Sequence, residues 1–272
     1  MISSKKILVF YHKNCADGFS GAWVARQQFR NRAEYIPIAH YDKPIFPKNK
    51  KVYFIDIVYE PKDLKKLLKS NEVTIIDHHV STRETVKLAP EYLYELNHSG
   101  AVLAWKYFNG KKSAPKLLQY VETIDLWRFS LPHSRIIGSY LRAEDLNFKN
   151  WDRLVECFDD SKKFKRVVEE GKTIQKYTEK IIEDIISEGA ELVNFQGQKV
   201  FVVNSPIFNS EIANRLATLR PPFGVVWVKK NGLYKVSLRS VGSFDVSKLA
   251  AKFSGGGGHK NAAGFSTKKL PW

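Results

Sequence analysis

The sequence predicts an α/β protein of two domains, and three observations indicate this. In the first half, short apolar runs alternate with helical patterns, which is typical of a doubly wound, mainly parallel sheet with helices on both faces. Residues 101–187 then have helical periodicity. After Gly189 short strand patterns return, which predicts a smaller C-terminal α/β domain joined to the first by a long helix. We therefore expect domains at residues 1–188 and 189–272.

The first domain is predicted from four buried strand patterns and the helices between them. The strand patterns are Ile7–Tyr11, Tyr35–His40, Val52–Asp56 and Val73–Asp77. A helix is expected at Phe19–Phe29 and another at Pro61–Lys69, where proline suits the first helical position. Because the apolar runs are continuous, the strands should be covered on both faces.

The connecting helix and the second domain follow from the remaining patterns. Apolar residues recur at close to a 3.6-residue period in Val167–Ser187, which predicts the long helix. Helices are also expected at Glu211–Leu219 and near Val246–Phe253. Strand patterns occur at Leu192–Phe195, Lys199–Val203, Val225–Lys229 and Tyr234–Arg239, and Lys230-Asn231-Gly232 between the last two indicates a hairpin.

Composition and charge limit the class of protein. The 272 residues are 43% hydrophobic, which supports a full core and excludes a disordered chain. The 2 cysteines cannot form a disulfide framework or a four-thiolate zinc site. No apolar run approaches the roughly 18 residues of a membrane span, and no signal peptide is recognised, so we expect a cytoplasmic protein without a membrane partner. The net charge of +16 indicates either polyanionic partners or a lysine-rich solvated surface.

Titratable residues follow the buried strands of the first domain. Ligands bind outside the carboxyl ends of the strands in an open α/β sheet, so side chains at these ends should meet at one edge. Any one Asp could instead be a helix N-cap, and any one His a core residue. Their recurrence after successive elements predicts a His/Asp metal site, with the candidates His12, Asp17, Asp56, Asp77, His78, His79 and Asp125.

The residue types also indicate the chemistry. Neither a Gly-x-Ser-x-Gly elbow nor a Walker A motif occurs, which disfavours a hydrolase triad and a P-loop NTPase. A ligand set of carboxylates and imidazoles suits Mn²⁺, and Mg²⁺ or another divalent ion is the alternative. One or two ions would bind. Two ions roughly 3.5–4 Å apart can activate water for displacement at phosphorus without a protein nucleophile.

A glycine run near the C-terminus predicts a phosphate or nucleotide site. Backbone N–H groups of Gly256, Gly257 and Gly258 could approach a phosphate without interference from Cβ, and His259 adds a donor. Arg239 is a candidate second anchor because its guanidinium can bind phosphate through two hydrogen bonds. The alternatives are a flexible linker for the glycines and an exposed strand-end charge for Arg239.

These motifs resemble those of the DHH phosphoesterase superfamily, and the resemblance covers nearly the whole chain. Asp77-His78-His79 is similar to the motif that gives the superfamily its name, Asp56 resembles its second motif and Asp125 its fourth. The segment His98–Ala101 resembles the one that opens the helix after the third motif. Asp245–Ala250 and Gly255–Gly264 look like the DHH-associated C-terminal domain of nanoRNases and oligoribonucleases.

The resemblance implies two metal positions and a catalytic pair. One ion would be bound by His12, the first aspartate of the family and Asp56, and the second by Asp17, Asp56, His78 and Asp125. Here Cys15 stands where the family has that first aspartate. It either supplies a thiolate, which favours softer metals, or is a small bystander. Asp77 and His79 are the expected catalytic residues, with His79 facing the scissile phosphate.

The sequence therefore predicts a manganese-dependent phosphodiesterase, an exonuclease that acts on short RNA or DNA oligonucleotides or on small nucleotides. One alternative is a phosphatase for polyphosphate or nucleotide bisphosphates. Another is a non-catalytic nucleotide- or RNA-binding protein, which is favoured by the irregular segment His12–Asp17, where Cys15 stands in place of the family's first aspartate. Whether the protein is a monomer or a homodimer stays open.

Overall fold

The computed structural model describes residues 5–40 and 42–272. The chain forms two compact units, Met1–Gln175 and Lys176–Trp272. The first contains a five-stranded parallel sheet and the second a six-stranded mixed sheet. A 29-residue helix, Ser161–Gly189, joins them. The predicted α/β class, with a smaller second domain after a long helix, is confirmed.

The elements of the first unit follow the predicted alternation. Its strands are β1 (Ile7–His12), β2 (Ala33–Ile38), β3 (Lys51–Ile55), β4 (Glu72–Asp77) and β5 (Glu91–Tyr94), in the spatial order β2-β1-β3-β4-β5. Its helices are α1 (Ala16–Phe29), α2 (Pro61–Leu68), α3 (Arg83–Val86), α4 (Gly100–Asn109), α5 (Lys116–Asp125), α6 (Ser134–Ala143), α7 (Phe148–Asp159) and α8 (Ser161–Gly189), the last of which continues into the second unit. Short 3₁₀ turns lie at Arg30–Arg32 and Val80–Thr82.

Successive side chains of the central strands pack into apolar layers on opposite faces of the sheet. In β1, Val9 and Tyr11 pack in the layer formed with α1, α4 and α5, whereas Leu8 and Phe10 pack in the layer that includes Leu64 of α2. Because side chains alternate across a strand, a continuous apolar run covers both faces. Helices therefore flank the sheet on both sides, and all five strands end at the same edge.

The second unit has its own core. Its elements are β6 (Glu191–Phe195), β7 (Gln198–Asn204), α9 (Asn209–Leu219), β8 (Phe223–Lys230), β9 (Leu233–Ser240), α10 (Val246–Ala250), β10 (Gly257–His259) and β11 (Ala262–Thr267). The strand order is β10-β11-β9-β8-β7-β6, with only the β7–β8 pair parallel among the described pairs. Asn231 and Gly232 adopt positive φ between β8 and β9, so the predicted hairpin is confirmed.

Three strands, β5, β10 and β11, have no counterpart in the sequence pattern. The strand β5 has four residues and lies at the sheet edge, so it lacks the buried apolar run that marks the others. Glycine is a poor strand former, and β10 exists through its antiparallel pairing with β11. The strand predicted at Tyr35–His40 is shifted by two residues and leaves His40 beyond its end.

The helix α8 contributes to the core of each unit. Val167 and Val168 are buried in the first unit, and Ile182 is buried with α9 in the second. Among the described residues no helix, α8 included, has both the length and the apolar character that a membrane span requires.

Candidate metal centre

The carboxyl edge of the first sheet collects the titratable residues that follow the strands. His12 is the last residue of β1, Asp56 follows β3 directly, and Asp77 ends β4. The parallel register pairs Tyr11 with Ile55 and Ile55 with Ile76. The residues that follow these three, His12, Asp56 and Asp77, therefore lie side by side at the ends of neighbouring strands. Two helices complete the set, since Asp17 lies in the first turn of α1 and Asp125 ends α5.

All of the predicted metal-binding and catalytic residues come together at this edge. Their candidate ligand atoms form three groups, within each of which the atoms lie no more than 4.8 Å apart. The groups are His12, Cys15 and Asp56; Asp17, His78 and Asp125; and Asp56, Asp77, His78 and His79. Asp56 and His78 each belong to two groups, so the three form one continuous cluster.

Asp56 lies at the centre of the cluster. Its Oδ2 is 3.3 Å from His12 Nδ1, and its Oδ1 is 3.2 Å from His78 Nε2. His78 Nε2 also lies 3.5 Å from Asp125 Oδ2 and 3.8 Å from Asp17 Oδ2. Burial alone would raise the pKa of Asp56, but the hydrogen bonds with the two histidines outweigh it and hold that pKa well below its usual range.

The cluster has a buried floor and a more accessible mouth. Asp17, Asp56, Asp77 and His78 are at most 2% exposed. The side chains of His12, His79 and Asp125 keep 27–30% of their exposure. A small ligand can therefore reach His12, His79 and Asp125 from solvent. The buried residues of the floor would fix the position of an ion bound beneath that ligand.

The N-terminus of α4 fixes the carboxylate of Asp17. Gly100 N donates to Asp17 Oδ2 at 2.6 Å and Ala101 N donates to Oδ1 at 2.9 Å. Helix N-termini favour negative charge, so this contact favours the ionised form of Asp17, although burial and the neighbouring carboxylates outweigh it and raise the pKa. A Cβ on Gly100 would lie 2.7 Å from Asp56 Cβ and 2.9 Å from Asp17 Oδ2, so only glycine permits this approach.

Glu122 connects the helix that carries Asp125 to the start of α4. It lies one turn before Asp125, and its Oε2 accepts hydrogen bonds from Ser99 N and His98 Nδ1, both at 3.0 Å. Ser99 is the N-cap of α4 and is fully buried. Glu122 thus holds two ligand-bearing segments together, a role that the sequence patterns do not reveal.

Asp77 orients His79. Asp77 Oδ1 accepts hydrogen bonds from His79 Nδ1 at 2.8 Å, from His78 N at 2.7 Å and from His79 N at 3.2 Å. Burial lowers the pKa of His79, but the charge and hydrogen bond of Asp77 outweigh it and raise the pKa to about 10. The contact with Asp77 therefore favours the protonated form of His79, and its Nδ1 is hydrogen-bonded to Asp77.

The electrostatics of the cluster fit a divalent cation. Burial, followed by the charges of Asp56 and Asp125, raises the pKa of Asp17 well above its usual range. Burial and the same two charges raise the pKa of the Cys15 thiol well above its usual range, and burial with Asp56 raises that of Asp125 to about 6. Asp77 Oδ2 is buried without a hydrogen-bond partner in the described part of the chain. A cation would stabilise the ionised form of each group.

The backbone at Asp56 is strained. Its φ of 61° lies in the left-handed region, which costs a non-glycine residue about 1–3 kcal/mol. The turn is held by a hydrogen bond from Asp56 N to Ile76 O at 2.9 Å. The strain aims the carboxylate at both His12 and His78, and such strain concentrates at functional sites.

In the second unit, the predicted phosphate-binding residues lie on β9 (Arg239), on β10 (Gly257, Gly258 and His259) and directly before β10 (Gly256). Arg239 donates to Ser210 Oγ at 2.6 Å and to the Leu238 carbonyl at 2.9 Å, and burial lowers its pKa. A Cβ on Gly256 would lie 2.0 Å from Ala250 O, and one on Gly258 would lie 2.5 Å from Ala262 O. Close backbone packing thus accounts for glycine at both positions, and a phosphate-binding role remains a prediction.

His40 is a neighbour of the centre that we did not identify as a candidate from the sequence. Its ring lies 5.8 Å from that of His12, and burial, followed by the charges of His12 and His79, lowers its pKa. The signal was its position just beyond β2, at the same edge of the sheet as the other candidates. An imidazole at this position adds a polar wall to the centre.

Comparisons with known proteins give a family for the second unit, one relative over nearly the whole chain and one over a quarter of it. Residues 195–271 match the DHHA1 domain. The chain is 30% identical to an uncharacterized protein of Acanthamoeba polyphaga mimivirus, over 95% of this chain and 67% of that protein. A match of 68 residues, 25% of this chain, is 37% identical to oligoribonuclease NrnB of Bacillus subtilis (strain 168) but covers 17% of that protein.

The fold also occurs in a solved structure. An exopolyphosphatase-related protein from Bacteroides fragilis superposes with a TM-score of 0.52, covering 99% of this chain and 88% of that chain at 13% identity. At this identity the likeness concerns the fold alone.

Proposed function

Because the chain belongs to the DHH superfamily of metal-dependent phosphoesterases and carries a C-terminal DHHA1 domain, we propose that it hydrolyses the phosphodiester bonds of short oligonucleotides. The observation that carries the proposal is the His/Asp cluster in which Asp56 and His78 link three groups of ligand atoms. The likeness to NrnB and the net charge of +16 favour an oligonucleotide over an uncharged substrate.

Manganese is the cofactor that suits the donor set best. The cluster combines carboxylate oxygens with imidazole nitrogens, which Mn²⁺ accepts and Mg²⁺ accepts less readily. His12, Asp17, Asp56, His78 and Asp125 would hold one or two ions, and Cys15 could join the His12 group. When bound, the ions lower the pKa of a water molecule and neutralise charge on the phosphoryl oxygens.

The residues around the ions orient the substrate and manage the proton. His79 is held in one orientation by Asp77, which favours its protonated form, so its Nε2 would donate a hydrogen bond to the phosphoryl group or a proton to the leaving oxygen. The buried floor excludes bulk water beneath the reacting group. In the DHHA1 domain, Arg239 and the Gly256–His259 segment would bind a substrate phosphate.

A time course with a 5′-labelled RNA pentamer tests the proposal. Purified full-length protein with MnCl₂ should shorten the pentamer one nucleotide at a time. Asp77→Asn removes the carboxylate that orients His79, the proposed general acid. Because a general acid contributes about 10²–10⁴-fold, the rate should fall on the order of 100-fold. Asp184→Asn is the matched control, since that carboxylate makes a surface pair with Lys180 and should leave the rate unchanged.

Other outcomes would select the alternatives. If the manganese-loaded protein leaves the pentamer intact but releases phosphate from polyphosphate or a nucleotide bisphosphate, the activity is that of a phosphatase. If it binds the pentamer and turns over none of these substrates, the protein is a binder. Either result overturns the proposal.

A further inference from the structure

A groove on the first unit is lined by Tyr94, whose hydroxyl donates to the backbone carbonyl of His79. It has a volume of about 540 Å³, and its lining includes Arg83, Tyr92, Tyr94, Leu96 and Asn97. Small-molecule sites usually measure about 300–1,000 Å³. The groove therefore has room for a nucleoside monophosphate.

The groove opens one strand away from the metal centre. Asp77 pairs with Tyr94 in the β4–β5 register, and Tyr94 OH donates to the His79 carbonyl at 3.0 Å. Leu96 and Asn97 follow β5 at the carboxyl edge of the sheet, where ligands bind in folds of this kind. A ligand in the groove would thus be separated by Tyr94 from His79, the residue that faces the scissile phosphate in the proposed function.

The lining residues match the parts of a nucleotide. Tyr92 is 47% exposed and shares a face of β5 with Tyr94, so it offers an aromatic surface on which a base can stack. Asn97 carries both donors and an acceptor, as the edge of a base requires. Arg83, Lys87 and Glu95 are the charged residues of the lining; Lys87 is paired with Glu84 at 2.7 Å and Glu95 with Lys106 at 3.1 Å, whereas Arg83 makes no ion pair with a described residue. Arg83 is therefore the cation available for a phosphate.

We propose that this groove binds the base and phosphate of the nucleotide adjacent to the scissile bond. The assignment rests on the proposed function for its place in the reaction, but the binding itself can be measured separately. Tyr92 would stack the base, Arg83 would contact the phosphate, and Tyr94 would couple the groove to the position of His79.

The first experiment measures equilibrium binding of adenosine 5′-monophosphate by calorimetry. Tyr92→Ala should weaken binding about tenfold or more, the usual effect of removing a stacking side chain, whereas Tyr92→Phe should retain it. Tyr177→Ala is the matched control, because Tyr177 is 69% exposed on α8 and lies outside the groove. Ribose 5-phosphate, which lacks the base, should bind more weakly and equally well to the parent and to Tyr92→Ala.

A second experiment separates this proposal from the proposed function. With the RNA pentamer, Tyr92→Ala and Arg83→Gln should raise KM at least several-fold and leave kcat within twofold. Equal AMP affinity in the parent and Tyr92→Ala, or no AMP binding by the parent, overturns the groove assignment even if the pentamer is cleaved. Tyr92-dependent AMP binding without pentamer cleavage supports the groove and overturns the proposed function instead.

Discussion

Replacing Gly100 with alanine tests whether the close approach of α4 holds the metal centre in shape. The added Cβ would lie 2.7 Å from Asp56 Cβ, whereas carbon atoms in contact are normally about 3.5–4.0 Å apart. The start of α4 must therefore move by roughly 1 Å. A shift of that size would lengthen the 2.6 Å hydrogen bond from Gly100 N to Asp17 Oδ2 beyond the hydrogen-bonding range of about 3.2 Å.

The magnitudes follow from these contacts. Overpacking costs about 1–3 kcal/mol, and a hydrogen bond to a charged group is worth about 1.5–3 kcal/mol. We expect Gly100→Ala to lower the free energy of unfolding by about 3 kcal/mol, or the melting temperature by roughly 6–12 °C in a protein of this size. Mn²⁺ affinity should fall about 10- to 100-fold, as it does when groups supporting metal ligands are lost.

Thermal melts and calorimetric Mn²⁺ titrations measure both effects. Gly138→Ala in α6 is the matched control, because its Cβ would meet no atom closer than 3.7 Å, at Ile124. Alanine in that helix interior should raise the free energy of unfolding by up to about 1 kcal/mol and leave Mn²⁺ affinity unchanged. If the two variants melt and bind alike, the account of the α4 N-terminus is wrong.

Three further outcomes are expected. Glu122→Ala should lower the free energy of unfolding by about 1–3 kcal/mol because it leaves the buried Ser99 N–H without an acceptor, and Glu122→Gln should lose less; equal melting temperatures would contradict this. Asp77→Asn removes the main cause that raises the pKa of His79, so the alkaline limb of the pH–rate profile should move to lower pH. An alkaline limb at the same pH would refute the pairing of Asp77 with His79. Burial lowers the pKa of His78, but Asp56 and Asp17 together raise it to about 9. Because Mn²⁺ binds the neutral imidazole, apparent Mn²⁺ affinity should rise from pH 6 to pH 8 with proton release, and a flat calorimetric profile would oppose that role.

The sheet and its functional edge could be predicted because their signals are local. The run before Asp56 consists of buried apolar residues, and a titratable residue follows it directly, so burial pattern and chemistry stand next to each other in the chain. The same holds for β1 with His12 and for β4 with Asp77. Parallel pairing then brings these ends together without further information.

What could not be predicted depends on contacts distant in sequence or on backbone geometry. Glu122 meets Ser99 across 23 residues, and no periodicity records that pairing. The strand β5 and the four-residue helix α3 are too short for a pattern, so the groove between them was not foreseen. The glycines near the C-terminus favoured a phosphate cradle by composition, but the contact that a Cβ on Gly256 would make with Ala250 O is visible only in the fold.

The position of bound manganese tests the central claim most directly. Crystals of the full-length protein grown with MnCl₂ would yield an anomalous difference map at the manganese absorption edge. The account predicts one or two peaks at the carboxyl edge of the first sheet, within coordination distance of Asp56 and His78, and their loss in crystals of Asp56→Asn. A map with manganese elsewhere, or none at this edge, would contradict it.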